Sequence, residues 1–234
     1  ISNRANGQTL DGERTRIVWT NKEIVLPTVK NSPSTGSVLR VAGLTGRIRG
    51  QKATNTAGEV IRPDLALVDD PSTDESARSP EQNNKRERYI GAAVGGMAGP
   101  KKKIAIVMPM TVVAPGDIAD RFLDRERYPQ WQGERSKLMP TFPINLPLWE
   151  EYARLRKDSM KDDGDKMAAT AHYRANREKM DEGAIISWPE RYLPGQLSAI
   201  EYAMCLWIDN PTSFASEYQN EPEAEGAEAD LPDM

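Results

Sequence analysis

Apolar and polar positions along the first half of the chain form short runs that predict β-strands. Residues 17–30 carry β-branched and aromatic side chains on both sides of a polar turn at Asn21 and Lys22, which is typical of a β-hairpin. Residues 38–42 predict another strand. Residues 64–68 and 103–108 are apolar strands separated by a polar, helix-favouring segment at 80–89. Strands alternating with helices predict a parallel α/β sheet, whose strands are normally buried on both faces.

Helical periodicity dominates the second half. Residues 117–125 predict one helix, amphipathic patterns at 148–157 and 165–180 predict two more, and residues 197–207 predict a further helix. The small-residue segment from Gly91 to Gly99 either extends the preceding helix or forms a loop. The tryptophans of this half, Trp149, Trp188 and Trp207, are interpreted as core anchors. The fold class is therefore α/β, followed by a small helical region.

The amino-acid composition excludes several classes of site. The 234 residues include one cysteine and one histidine, which excludes an internal disulfide framework, a four-thiolate metal site and a multi-histidine zinc cluster. The 31 basic and 35 acidic residues nearly cancel, so the net charge of -4 gives no global attraction to nucleic acid or membranes. No apolar run is long enough for a membrane span, and no signal peptide is visible. We therefore expect a cytoplasmic protein.

Both ends of the chain are polar. Residues 1–16 form a polar run that begins with Ile1, and residues 221–230 are acidic and lack aromatic side chains, which is typical of disorder. We interpret the chain as a fragment of a longer protein.

Two adjacent carboxylates are the sharpest chemical feature. Asp69 and Asp70 follow the apolar run that starts at Leu65. Open α/β sheets bind their ligands at the carboxyl ends of their strands. In P-loop NTPases one such aspartate holds Mg²⁺, and a neighbouring acid polarises the attacking water. The alternative is a plain strand end, because Asp-Asp-Pro is also common in turns.

Two further segments are weaker candidates. Thr111 follows the 103–108 strand, where its hydroxyl could sense a γ-phosphate or only cap the next turn. The glycine-rich segment Gly43–Gly50 contains Arg47 and Arg49, whose guanidinium groups could bind phosphate or DNA backbone. That segment matches neither the Walker A nor the dinucleotide-binding motif, and the alternative is a solvated turn.

The order of several motifs carries a resemblance to a known family. The glycine–arginine loop at 45–50 precedes Arg62-Pro63-Asp64 and the acidic strand, and the Thr111 strand and the 117–123 helix follow. Ser187 to Tyr192 (SWPERY) and Phe214 to Pro222 (FASEYQNEP) come later. Over residues 17–223 this succession resembles the large terminase subunits of tailed phages and prophages.

The resemblance implies a partial ASCE-type, P-loop ATPase core and assigns roles to single residues. Asp69 matches the Walker B aspartate that positions Mg²⁺, and Asp70 matches the adjacent catalytic carboxylate. Thr111 would lie in the motif that couples hydrolysis to movement. Arg47 and Arg49 lie in the loop before Walker B and are assigned to nucleotide binding. ATP and Mg²⁺ are the expected cofactors. The Walker A motif and the nuclease aspartates of the family have no match in this chain.

The same resemblance predicts domains and partners. Residues 1–145 would be the C-terminal part of the ATPase domain, 146–210 a helical linker subdomain, and 211–234 the start of the nuclease domain with an acidic tail. Expected partners are double-stranded DNA, the portal protein and the small terminase subunit, with a homo-oligomeric ring on the portal and no membrane. The location would be the bacterial cytoplasm, with transient docking on the procapsid. Alternatives are a non-catalytic prophage remnant or interaction module, or another ASCE ATPase such as a helicase.

Overall fold

The computed structural model describes residues 7–44, 48, 50–55, 58–161, 164, 165 and 167–223. The chain forms two compact units. The first comprises residues 1–71 and 81–110, and the second comprises residues 72–80 and 111–234. The fold is mixed α/β with small sheets. The boundaries predicted at residues 145 and 210 separate functional domains rather than compact structural units, and they stay a prediction.

The first unit begins with short antiparallel pairs. The predicted hairpin is confirmed, since Val18 pairs with Val25 and Trp19 with Ile24. The predicted strand at 38–42 adds a third strand to this sheet. Two further hairpins, within residues 9–14 and 53–61, were not predicted because each of their strands has only two residues, too few for an alternation pattern. The strands are β1 (Thr9–Leu10), β2 (Glu13–Arg14), β3 (Val18–Trp19), β4 (Glu23–Val25), β5 (Val38–Arg40), β6 (Ala53–Thr54) and β7 (Val60–Ile61).

A β–α–β unit completes the first unit. Strand β8 (Leu65–Leu67) pairs in parallel with β9 (Ala105–Val107), which confirms the predicted parallel pairing of these two segments. The connection is helix α2 (Pro80–Arg88), preceded by the one-turn helix α1 (Asp74–Ala77), which belongs to the second unit. Residues Tyr89–Val94 continue α2 as a π-helix, and turns follow from Gly95. Of the two alternatives for residues 91–99, an extended helix or a loop, the structure shows a helical extension to Val94 followed by turns.

The parallel pair buries only one of its faces. Ala66 is buried with Ile48 and Val94, and Ile106 packs against this cluster. The opposite face is exposed: Leu65 is 58% exposed, Leu67 68% and Val107 52%. The prediction of burial on both faces is therefore wrong for this pair. The physical reason is that the crossover helix covers one side, whereas no described element of the unit covers the other.

The second unit is mainly helical. The helices predicted at 148–157, 165–180 and 197–207 are confirmed with boundaries shifted by a few residues. The helix predicted at 117–125 is shorter at both ends, because Asp117 is its N-cap and Asp124 its C-cap. A short helix after Asn210 was not predicted. The helices are α3 (Ile118–Leu123), α4 (Leu146–Ser159), α5 (Ala168–Asp181), α6 (Ala199–Asp209) and α7 (Pro211–Glu217).

An aromatic core holds these helices together. Trp149 and Tyr173 are fully buried, with ring centroids 5.4 Å apart, and Trp149 Nε1 donates a hydrogen bond to the Met180 carbonyl at 2.9 Å. Trp207 is also buried, so the prediction of core anchors holds for these two tryptophans. Trp188 is 56% exposed, and the same prediction is wrong for it. Its ring lies on the surface beside Arg191, whose guanidinium carbon is 5.6 Å from the ring centroid.

Candidate functional site

The parallel pairing continues beyond the strands and determines where the two carboxylates lie. The Val68 N–H donates to the Val107 carbonyl at 2.9 Å, and the Asp70 N–H donates to the Pro109 carbonyl at 3.2 Å. Asp69 and Asp70 therefore lie at the carboxyl end of the pair, next to residues that follow β9. Asp70 has a φ of 38°, a left-handed conformation that aspartate tolerates better than most residues. This turn ends the strand directly at the acidic pair.

Both carboxylates face solvent. Asp69 and Asp70 are exposed, so neither pays a large desolvation penalty and both can meet a ligand from solution. Carboxylate oxygens are the ligands that Mg²⁺ prefers. Within the described part of the chain, no group of three or more His, Cys, Asp or Glu side chains is arranged to hold a metal. Asp69 and Asp70 could supply at most two carboxylates to a cation.

A basic residue that sequence reasoning missed lies beside this strand end. Arg86, on the crossover helix, donates from Nε to the carbonyl of Pro71 at 2.7 Å. Pro71 immediately follows the acidic pair. The guanidinium also donates to Gln82 within the helix. A basic residue on the helix that follows an acidic strand end is the sequence signal that could have indicated Arg86. The sequence does not show that the crossover brings Arg86 back to that strand end.

The arginine loop is described only in part. Arg47 and Arg49, the predicted nucleotide-binding residues, lie outside the described residues. Ile48 between them is 7% exposed and packs in the cluster that contains Ala66 of β8. The apolar residue of the loop is therefore anchored on the strand that leads to Asp69.

Thr111 belongs to the second unit, whereas Asp69 and Asp70 belong to the first. Thr111 is partly buried, and the three residues that follow it are buried. The fully buried Asp117 carboxylate accepts hydrogen bonds from the N–H groups of Val113 at 2.7 Å and Ala114 at 3.2 Å. Its other oxygen accepts from the Asp120 N–H at 2.9 Å. Asp117 thus fixes the backbone of residues 113 and 114, shortly after Thr111. The sequence did not indicate this role.

The second unit also carries a surface depression of about 420 Å³ that contains none of the predicted site residues. It is lined by Asp120, Arg121, Leu123, Asp124 and Arg127. Arginines and carboxylates of α3 and the turn after it alternate around it, and the Arg127 guanidinium lies 5.1 Å from the ring centroid of Tyr128. The mixed charges of this lining favour no single class of ligand.

No helix among the described residues combines the length and the apolar character that a membrane span requires. In comparisons with known proteins, no protein-family model, curated protein or solved structure matches this chain.

Proposed function

We propose that this chain is part of a viral DNA-packaging motor of the terminase large-subunit type, in which ATP hydrolysis drives double-stranded DNA into a procapsid. The observation that carries the proposal is the carboxyl end of the parallel pair. There, Asp69 and Asp70 follow β8 after Val68, and the hydrogen bond from Asp70 to Pro109 joins them to the segment after β9. Open α/β sheets bind nucleotide ligands at this position. The order of motifs along the chain favours a terminase over other ATPases.

The proposal assigns a task to each residue of the site. Asp69 would hold Mg²⁺, which supplies charge neutralisation on the β- and γ-phosphates of ATP. Asp70 would accept a hydrogen bond from the attacking water and orient it. Thr111 would sense the state of the nucleotide from the segment after β9. Arg47 and Arg49 would contact phosphate through their guanidinium groups.

The uncovered sheet surface supports a larger ATPase sheet. Parallel sheets bury both faces, yet Leu65, Leu67 and Val107 are exposed on one face of this pair. Within the described residues, β8 and β9 pair only with each other, so each leaves an outer edge without a strand partner. We infer that further strands, together with the phosphate-binding loop, come from another segment of the protein. In the whole protein a nuclease domain would cut the DNA, and a ring of subunits would dock on the portal with the small terminase subunit.

Replacement of Asp69 tests the assignment of the metal-binding carboxylate. In the complete protein we expect Asp69→Ala to lower the rate of ATP hydrolysis by at least about a hundredfold, because the phosphate charge would lose its counter-ion. The matched control is Glu75→Gln, which removes an exposed acidic charge in the next helix and should leave the rate unchanged. Unimpaired hydrolysis by Asp69→Ala would overturn the role given to Asp69.

ATP turnover by the 234-residue chain tests whether this chain holds a complete nucleotide site. We expect no ATP turnover from this chain alone, because no Walker A motif is present to hold the phosphates. Robust turnover would contradict that expectation. The reading frame upstream of Ile1 distinguishes the motor from a non-catalytic interaction module. A strand followed by Gly-x-x-x-x-Gly-Lys-Ser/Thr supports the motor, whereas a start codon near Ile1 supports the non-catalytic module.

A further inference from the structure

Gln219 and Asn220 in the C-terminal FASEYQNEP segment connect three separate stretches of the second unit. Gln219 is 3% exposed, and its side-chain amide makes two bonds to one residue, accepting from the Met139 N–H at 3.0 Å and donating to the Met139 carbonyl at 2.8 Å. Asn220 donates to the Ser136 carbonyl at 2.8 Å and accepts from the Val112 N–H at 3.0 Å. We call these two residues the Gln219–Asn220 clamp.

The backbone conformation at Asn220 suits this task. Its φ is 53°, in the left-handed region that asparagine and glycine occupy most readily. Helix α7 ends just before it, and the Tyr218 carbonyl accepts from the Leu138 N–H at 2.8 Å. The chain therefore turns sharply after α7 and directs the Asn220 amide toward residues 112 and 136.

The segment directly after Thr111 is held by side chains rather than by a sheet. Three successive backbone N–H groups each donate to a side chain of the second unit: Val112 to Asn220, and Val113 and Ala114 to Asp117. All three residues are less than 10% exposed. A connection of this kind has little freedom to move by itself, because any shift breaks a buried hydrogen bond.

We propose that the Gln219–Asn220 clamp, together with Asp117, makes residues 112–114 move as one body with the helical unit. This inference rests on the proposed function, in which Thr111 responds to the nucleotide. A loose three-residue connector would absorb a small displacement of Thr111. When each N–H of the connector is hydrogen-bonded to Asn220 or Asp117, a displacement of Thr111 is transmitted to the helices next to these two residues. Asn220 is thus a positioning residue for coupling, and it contacts no reacting atom.

Replacement of Asn220 by glycine tests the clamp. Asn220→Gly removes both bonds and keeps a residue that adopts positive φ without strain. Asn145→Ala is a matched control, because the Asn145 side chain also donates to a backbone carbonyl, that of Lys179 at 2.7 Å, without touching residues 112–114.

Coupling is measured in the complete protein as the length of DNA moved per ATP hydrolysed. For Asn220→Gly we expect an ATPase rate within about threefold of wild type and at least about tenfold less DNA moved per ATP. Asn145→Ala should keep the wild-type ratio. A wild-type ratio in Asn220→Gly would overturn the proposal. An equal loss of the ratio in Asn145→Ala would also overturn it, because that variant leaves the hydrogen bonds of residues 112–114 intact.

Hydrogen exchange at the Val112 amide separates failure of the clamp from failure of the proposed function. We expect at least about tenfold faster exchange in Asn220→Gly than in wild type, and no acceleration in Asn145→Ala. Unchanged exchange in Asn220→Gly would refute the clamp, whatever the motor does. If the wild-type protein hydrolyses no ATP, both the proposed function and the coupling role are refuted. Faster exchange in Asn220→Gly would then still show that the clamp anchors residues 112–114.

Discussion

Single buried polar side chains determine the path of the backbone in the second unit. Asp117 is fully buried, and its carboxylate accepts three backbone hydrogen bonds, two from residues before it and one from the helix it caps. Charged acceptors make stronger hydrogen bonds than neutral ones. The cost of losing this side chain is high, because two buried backbone donors and one partly buried donor would lose their acceptor.

We expect Asp117→Ala to reduce the free energy of unfolding by about 3 kcal/mol, and Asp117→Asn by about half as much, because the amide keeps one accepting oxygen. Chemical denaturation followed by tryptophan fluorescence measures both values. Glu190→Gln, an exposed acidic position, is the control and should change the stability little. Equal stability of Asp117→Ala and wild type would mean that water replaces the carboxylate at these donors.

At the scale of elements, helices α4 and α6 are joined by a buried polar contact as well as by apolar packing. The Tyr152 hydroxyl donates to Glu201 Oε1 at 2.9 Å and lies 3.4 Å from the Cys205 sulfur. Burial raises the pKa of Tyr152 well above its usual range, and the neighbouring Cys205 and Glu201 raise it further. Burial likewise raises the pKa of the Cys205 thiol. The contact between the helices therefore depends on protonated groups.

This contact predicts alkaline sensitivity. Above about pH 10, tyrosine in the unfolded chain loses its proton, whereas folded Tyr152 keeps it, so stability is full below that pH and falls as pH rises. We expect the slope of melting temperature against pH between about pH 9 and pH 11 to be shallower in Tyr152→Phe than in wild type. Tyr192→Phe, at a position 47% exposed, is the surface control. Identical slopes in all three proteins would show that Tyr152 does not contribute.

At the scale of the whole molecule, the parallel pair has an exposed apolar face and two outer edges that no described strand pairs, and both favour association with other chains. Exposed strand edges are templates for pairing with another chain. We expect the 234-residue chain by itself to self-associate, as measured by light scattering during size-exclusion chromatography. Leu65→Lys should reduce the association, because a charge on this face opposes stacking. The control is Leu193→Lys, since Leu193 is also 58% exposed but lies in the second unit. A monodisperse wild-type sample would contradict the prediction.

The sequence by itself determined the elements that have enough length for a pattern. Apolar runs predicted β8 and β9, and the 3.6-residue period predicted α4, α5 and α6, because these signals are local. The position of Asp69 and Asp70 after a strand was also readable, since a strand end needs no distant partner to be recognised.

Only the tertiary structure decided which residues meet across the chain and which faces are covered. The bonds from Asn220 to Val112 and from Arg86 to Pro71 join positions far apart in sequence, so no local pattern contains them. The exposure of Trp188 and of one face of the parallel pair was also not contained in any local pattern. A large apolar side chain indicates a preference for burial, but burial requires another element on that side, and only the packing of the whole chain determines whether one lies there.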